Sequence, residues 1–144
     1  MRKRSLVMAA LMACTTMAST RVAHAQESLV VNIPFDFSAG NSRLPAGEYA
    51  VKSSGPAHIL LLMNRTDPAA SIMVRSNAVA AGAPQTDSKL VFHRYGDRYF
   101  LSQVWTAGYS LGRQLLQTGP EKEAARMAKN QDQSDVVLAA TLTK

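Results

Sequence analysis

Hydrophobic and polar positions alternate strictly over residues 29–37. Leu29, Val31, Ile33, Phe35 and Phe37 point one way, and Val30, Asn32, Pro34 and Asp36 point the other. A period of two predicts a strand with one buried face. Pro34 has no N–H to give to a ladder, so the strand is expected at a sheet edge or bulged there. Ser38 to Ser42 reads as a loop, and Leu44-Pro45-Ala46-Gly47 as a type I turn. Residues 48–52 resume as a strand with Tyr49 and Val51 on one face. His58 to Met63 is almost continuously apolar and too short to favour a helix, which predicts a strand covered on both sides. Asn64 to Pro68 has turn chemistry. Ile72 and Val74 alternate with Met73 and Arg75 in a strand over 71–79, and the Ala, Gly and Pro of residues 80–87 predict a mobile loop.

The densest signal is Lys89 to Trp105, two β-prone runs around Gly96-Asp97, a dipeptide suited to the positive φ of a two-residue hairpin. That turn sets Tyr95 opposite Arg98, Arg94 opposite Tyr99, Phe92 opposite Leu101 and Leu90 opposite Gln103. One face then carries Leu90, Phe92, Leu101 and Trp105. The other carries Val91, His93, Phe100 and Val104. Four of the eight Phe and Tyr residues and the only Trp lie here, which marks the hairpin as the core anchor. A last strand follows over 109–116. Its meander order predicts pairing with 99–105.

Thr118-Gly119-Pro120-Glu121-Lys122-Glu123 has the form of a helix start, with Pro at the first helical position and acids in the first turn. The helix is expected over about 120–129, on the surface, because its apolar residues are only alanines and Met127. Beyond residue 131, Val136 to Leu142 reads either as a terminal strand or as a frayed tail. The sum is a mainly β chain: one antiparallel β-sandwich or small barrel of six to seven strands with a short C-terminal helix.

Charge changes the picture once the N-terminus is set aside. Basic Met1-Arg2-Lys3-Arg4, a short apolar run over Leu6–Ala13 and Ala23-His24-Ala25 form a signal peptide, with cleavage between Ala25 and Gln26. The apolar run is too short to span a bilayer, so no transmembrane segment is expected after cleavage. Residues 26–144 then form a single domain. The whole chain carries +6, but residues 26–144 hold 12 Lys and Arg against 10 Asp and Glu, a net +2 without a basic cluster. The high basicity is an export signal, not a nucleic-acid footprint. The lone Cys14 lies in the leader, so the mature chain has no thiol chemistry. The alternative is a degraded lipobox, Leu11-Met12-Ala13-Cys14, that leaves the protein lipid-anchored through Cys14.

Candidate chemistry is sparse. No nucleophile elbow, zinc-helix motif or phosphate loop is present, and no motif calls for a cofactor or metal. His93, Asp97 and Ser102 supply the residue types of a hydrolytic triad, although a half-buried sheet histidine is the plainer reading. Asn64-Arg65-Thr66 matches a sequon but suits a polar turn. Arg94, Tyr95, Arg98 and Tyr99 form the densest cationic-aromatic cluster, which Arg113 on the next strand would extend. Arg forks and aromatic faces suit an acidic or carbohydrate ligand. The same residues also make cross-strand pairs that hold a hairpin in register.

Val31-Asn32-Ile33-Pro34-Phe35-Asp36-Phe37, Leu44-Pro45-Ala46-Gly47-Glu48-Tyr49, Leu90 to Asp97 and Phe100 to Trp105, in this order, resemble a family of small secreted proteins common in Acidobacteria and their soil relatives. The resemblance covers roughly residues 28–130. It implies export and a β-rich fold, and it brings no activity, cofactor or catalytic residue. The expected function is therefore that of an exported, non-enzymatic β-domain, periplasmic or secreted, that binds a protein or small ligand as an envelope-interaction module. The alternative is a carrier of a small apolar ligand in a barrel interior lined by Leu60, Leu62, Phe92 and Leu101. A third reading is a hydrolase using His93.

Overall fold

Proline and glycine divide the first alternating run more finely than its pattern predicts. The computed structural model describes residues 27–54, 58–128 and 133–143. The leader, its cleavage site at Ala25 and Gln26, and Cys14 lie outside these residues. Strand β1 (Ser28–Ile33) ends before Pro34, and β2 (Phe37–Ala39) begins after Asp36. The inward set survives the break: Leu29, Val31, Ile33 and Phe37 are all buried, with Phe35 half-buried against them. The expected edge position does not hold along the whole strand. β1 pairs with β4 (Gly47–Ser54) throughout and has a second neighbour, β11 (Thr141–Thr143), along Ser28–Val30. Pro34 is accommodated because the ladder has already ended.

Where residues 38–42 read as a loop, Gly40 at φ 58° turns β2 straight into β3 (Ser42–Leu44) as a small hairpin. Gly40-Asn41 is the two-residue turn signal that betrays it. β5 (Ile59–Asn64) is not covered on both sides. Leu60, Leu62 and Asn64 are buried, while Ile59, Leu61 and Met63 are only half-buried. Leu61, for instance, lies between Lys52 and the exposed Met73. Asn64 Oδ1 accepts the Thr66 and Asp67 N–H groups, so the sequon residue is a buried turn cap. A 3₁₀ turn over Pro68–Ala70, capped by Asp67, leads into β6 (Ile72–Ala80). Residues 81–88 are coil, tied down by Ala81 N–H to Ser110 O and Gln85 N–H to Tyr109 O.

The central hairpin forms as its turn dictates. β7 (Lys89–Tyr95) and β8 (Arg98–Trp105) flank Gly96, whose φ is 63°. Tyr95–Arg98, Arg94–Tyr99 and Phe92–Leu101 pair as expected. A bulge then intervenes, and Val91 pairs with Gln103 and Leu90 with Val104. Ser102 is the extra residue, so Val104 and Trp105 exchange the faces that simple alternation gave them. Val104 joins the core, and Trp105 lies outside it over Gly112. β9 (Leu111–Leu115) pairs with β8, the predicted meander, and also with β6. Helix α1 runs over Gly119–Met127, two residues short of the expected end, which lies outside the described residues. It is less superficial than its composition implies, for Glu121 and Ala124 are buried. The tail is strand: β10 (Gln133–Ala139) pairs with β7 along its whole length, and β11 follows after Ala140 alone.

Eleven strands thus replace the expected six or seven among the described residues. The protein is mainly β, one sheet in the order β10-β7-β8-β9-β6-β5-β4-β1-β11, with β2 joined to β8 and β3. β6 pairs with β5 through Ile72–Arg75 and with β9 through Ser76–Ala80. One core cluster draws on the strands of both halves, from Leu29 and Tyr49 to Phe92 and Leu115. Edge-on ring contacts of Phe37 with Tyr49 and with Phe92 stand at its centre.

Candidate functional site

Beyond the filled core, the inward faces of seven successive strands in the sheet order, from β8 round to β11, line one cavity of ≈ 550 Å³. Its walls are Leu29, Val51, Leu60, Val104 and Leu142, with Ala78 on β6 and Leu111 and Gly112 on β9. Of the four side chains expected to line an interior, Leu62, Phe92 and Leu101 fill the core, and only Leu60 reaches this space.

Polar groups gather on the cavity's rim. Arg113 is opposite Val104 on β8 and Ala78 on β6, both cavity-lining, so it leaves the sheet on the inward side. Its Nε donates to Ser53 Oγ at 3.1 Å, and its Nη1 donates to His58 Nδ1 at 3.2 Å. An arginine N–H can only donate, so in this contact His58 Nδ1 is the acceptor. Ser53 is next to last in β4, and His58 precedes β5. The guanidinium therefore reaches strands that lie two and three places from its own in the sheet order. His58 adopts φ 51°, uncommon for a residue with a side chain, and its carbonyl accepts the Ser76 N–H at 2.8 Å. A second bridge joins the Tyr109 hydroxyl to Glu27 Oε2 at 3.2 Å, and the adjacent carboxylate raises the phenol's pKa.

The expected cationic-aromatic patch is divided. Arg94 lies over the Tyr99 ring, which stacks on Phe35 at 3.8 Å on the core side. Tyr95 and Arg98 lie on the outer side with Phe100, and the Arg98 guanidinium sits 5.2 Å from that ring. Arg113 does not extend the patch: its guanidinium bonds Ser53 and His58 at the cavity rim.

His93 sits on the outer face beneath α1. Its Nδ1 meets Glu121 Oε1 at 2.8 Å, its Nε2 faces Asp135 at 3.9 Å, and the Tyr95 hydroxyl is 3.4 Å from the Glu121 carboxylate. The Glu121 hydrogen bond raises the His93 pKa against the lowering effect of burial. Burial first, then the Glu121 charge, raises that of Tyr95. Ser102 shares a ≈ 360 Å³ recess with His93 and Glu121. Asp97 stays in the hairpin turn and is no partner of this histidine, so the His93, Asp97 and Ser102 set does not assemble, in keeping with the plainer reading of a sheet histidine.

Sequence reasoning missed Glu27, Ser53 and His58 as rim residues and Glu121 as the partner of His93. Arg113 carried the one available signal. It stands between Leu111 and Leu115 on an inward-reading face, where a charge needs hydrogen-bonding partners. Among the described residues, no group of three His, Cys, Asp or Glu side chains is placed to hold a metal ion, and no helix is long and apolar enough to cross a membrane. Comparison of the chain with protein-family models, curated proteins and solved structures finds no match to any of the three.

Proposed function

We propose that the protein is an exported, non-enzymatic β-domain that binds one small, largely apolar ligand in the cavity at one end of a barrel. The observation that carries this reading is the cavity itself, lined by seven successive strands and walled mainly by Leu and Val. A cavity of ≈ 550 Å³ lies within the range of small-molecule sites, apolar spaces with a few fixed polar groups. Barrel closure is supported by the two ends of the sheet order. β10 and β11 are separated by Ala140 alone, yet one pairs with β7 and the other with β1. β6 makes the corresponding passage on the opposite side, from β5 to β9. Strands that change partners at a bend are how small barrels turn their corners. Export rests on the leader and on the motif resemblance. The binding role is thus assigned to the interior, and the hairpin tip is left with a structural one.

The test is titration with the neutral dye N-phenyl-1-naphthylamine, against the purified protein and its Ala78→Trp variant. Ala78 is an exposed, cavity-lining position on β6, so an indole there fills the space without entering the packed core. Saturable enhancement with one dye per chain, abolished in a variant of unchanged melting temperature, supports the reading. Absence of saturable binding to the wild-type protein refutes it.

A further inference from the structure

We propose that Arg113 is the head-group anchor of this cavity and that its ligand is an amphipathic anion, a carboxylate on an apolar body. The inference deepens the carrier reading and rests on it. Three features of the site converge on this ligand class.

The first is where the strand puts the charge. Arg113 projects from the middle of β9, with Leu111 before it at the cavity and Leu115 after it in the core. A rim residue on a mobile loop would hold a charge loosely, but a strand residue between two cross-strand partners is fixed in register. The second is how the guanidinium is held. Two of its donors, Nε and Nη1, are given to a hydroxyl, Ser53 Oγ, and to a ring nitrogen, His58 Nδ1. A carboxylate is a stronger acceptor than either and matches the planar guanidinium fork, so a ligand carboxylate can compete for these donors. The third is the wall beneath. Leu29, Val51, Leu60, Val104 and Leu142 offer nothing but apolar contact to whatever extends inward from the head group. At the ~30 Å³ that a water molecule occupies in the liquid, ≈ 550 Å³ accommodates on the order of ten to twenty non-hydrogen atoms. That is the size of a medium-chain carboxylate.

Glu27 is the opposing charge on the rim. It is exposed, lies just before β1, and accepts a hydrogen bond from exposed Tyr109. Arg113 is half-buried and strand-held, so it has the stronger claim on the head group, and the choice between the two is directly measurable.

Decanoate, decan-1-ol and decylammonium share one chain and differ only in head group. Their affinities are measured by isothermal titration at low ionic strength for the wild type, Arg113→Gln and Arg113→Lys, each checked by thermal melting. The expected result is that the wild type prefers decanoate to decan-1-ol by about tenfold or more, the scale of one charge-assisted hydrogen-bonded pair. Arg113→Gln reduces decanoate to the level of the alcohol and leaves the alcohol within about twofold, while Arg113→Lys falls between. Equal wild-type affinities for decanoate and decan-1-ol overturn the proposal without any variant, as does a decanoate preference that persists in folded Arg113→Gln. Tighter decylammonium binding overturns it in favour of Glu27. Failure of all three probes to bind overturns the carrier reading itself. That outcome is distinct from a head-group failure, in which the alcohol still binds.

Discussion

Gly112→Ala tests the bulge, the Trp105 position and the packing of β9 in one substitution. A Cβ at residue 112 would stand 2.6 Å from Trp105 Cε3, 2.7 Å from Cδ2 and 2.9 Å from Cζ3. Carbon contacts settle at about 3.5–4.0 Å, so the indole must retreat by roughly 1 Å. It has little room to do so. Trp105 is 7 % exposed, its Nε1 donates to Gln103 Oε1 at 3.0 Å, and its backbone is in the β7–β8 ladder. Overpacking of this kind costs about 1–3 kcal/mol. Replacing a strand glycine returns about 0.5–1 kcal/mol by reducing the freedom of the unfolded chain. The net expectation is a loss of about 1–2 kcal/mol, which for a domain of this size lowers Tm by roughly 3–10 °C. Thermal unfolding followed by far-ultraviolet circular dichroism measures the shift. The same substitution in a Trp105→Leu background removes the clash, so there it should be neutral or mildly stabilising, a coupling of about 1 kcal/mol or more. A Gly112→Ala protein within about 0.5 kcal/mol of wild type, or strict additivity with Trp105→Leu, refutes the placement of the indole on Gly112.

Two further outcomes follow from the hairpin and its covering helix. His93 has a raised folded-state pKa, chiefly from its hydrogen bond to Glu121, so the stabilisation is complete below the unfolded value near 6.5 and is lost as pH rises through the folded one. Denaturant titrations from pH 5.5 to 9 should show that decline, whereas Glu121→Gln should lower stability at pH 6 by about 1–2 kcal/mol and flatten the dependence; an unchanged slope in the variant refutes the pairing. Deletion of Ser102 removes the bulge residue and leaves Leu101 and Val104 inward and Trp105 outward, so the protein should still fold, losing about 1–2 kcal/mol, the range of most single substitutions. Deletion of Val91, which drives Leu90 out of the core, should abolish cooperative melting, and equal damage by both deletions would refute the bulge assignment.

What the sequence made legible is what short-range chemistry decides. Gly96 with Asp97 determines a turn, and the turn determines the pairs next to it, so Tyr95–Arg98 through Phe92–Leu101 were readable. The bulge was not, because a bulge is a relation between two strands, and Ser102 looks on its own like any alternating polar residue. From that point alternation reports the wrong face, and Trp105, read as core, is instead the cover of Gly112. The same limit explains β3 and β10. Ser42–Leu44 and Gln133–Asp135 are too polar to read as buried strands, yet they become strand by hydrogen bonding to a neighbour already in place. The surface helix α1 was legible from its Pro and acids, but its polar contact was not: the buried Glu121 carboxylate meets His93 and Tyr95.

The cavity lies furthest from the sequence because the groups that bond across its rim are far apart in the chain. Arg113 is 60 residues from Ser53 and 55 from His58, and Glu27 is 82 from Tyr109. Only the order of the strands in the sheet brings them together. Yet the charge itself was visible on β9, where Leu111, Arg113 and Leu115 share one face of a strand with otherwise ordinary alternation. A half-buried arginine needs hydrogen-bonding partners, and Ser53 and His58 are two of them. Reading Arg113 as an extension of the hairpin patch placed that cation on the surface, where it would need no explanation. The structure places it at the mouth of an apolar space, held by Ser53 and His58. There, on the carrier reading, a ligand's carboxylate would share its donors with Ser53 and His58.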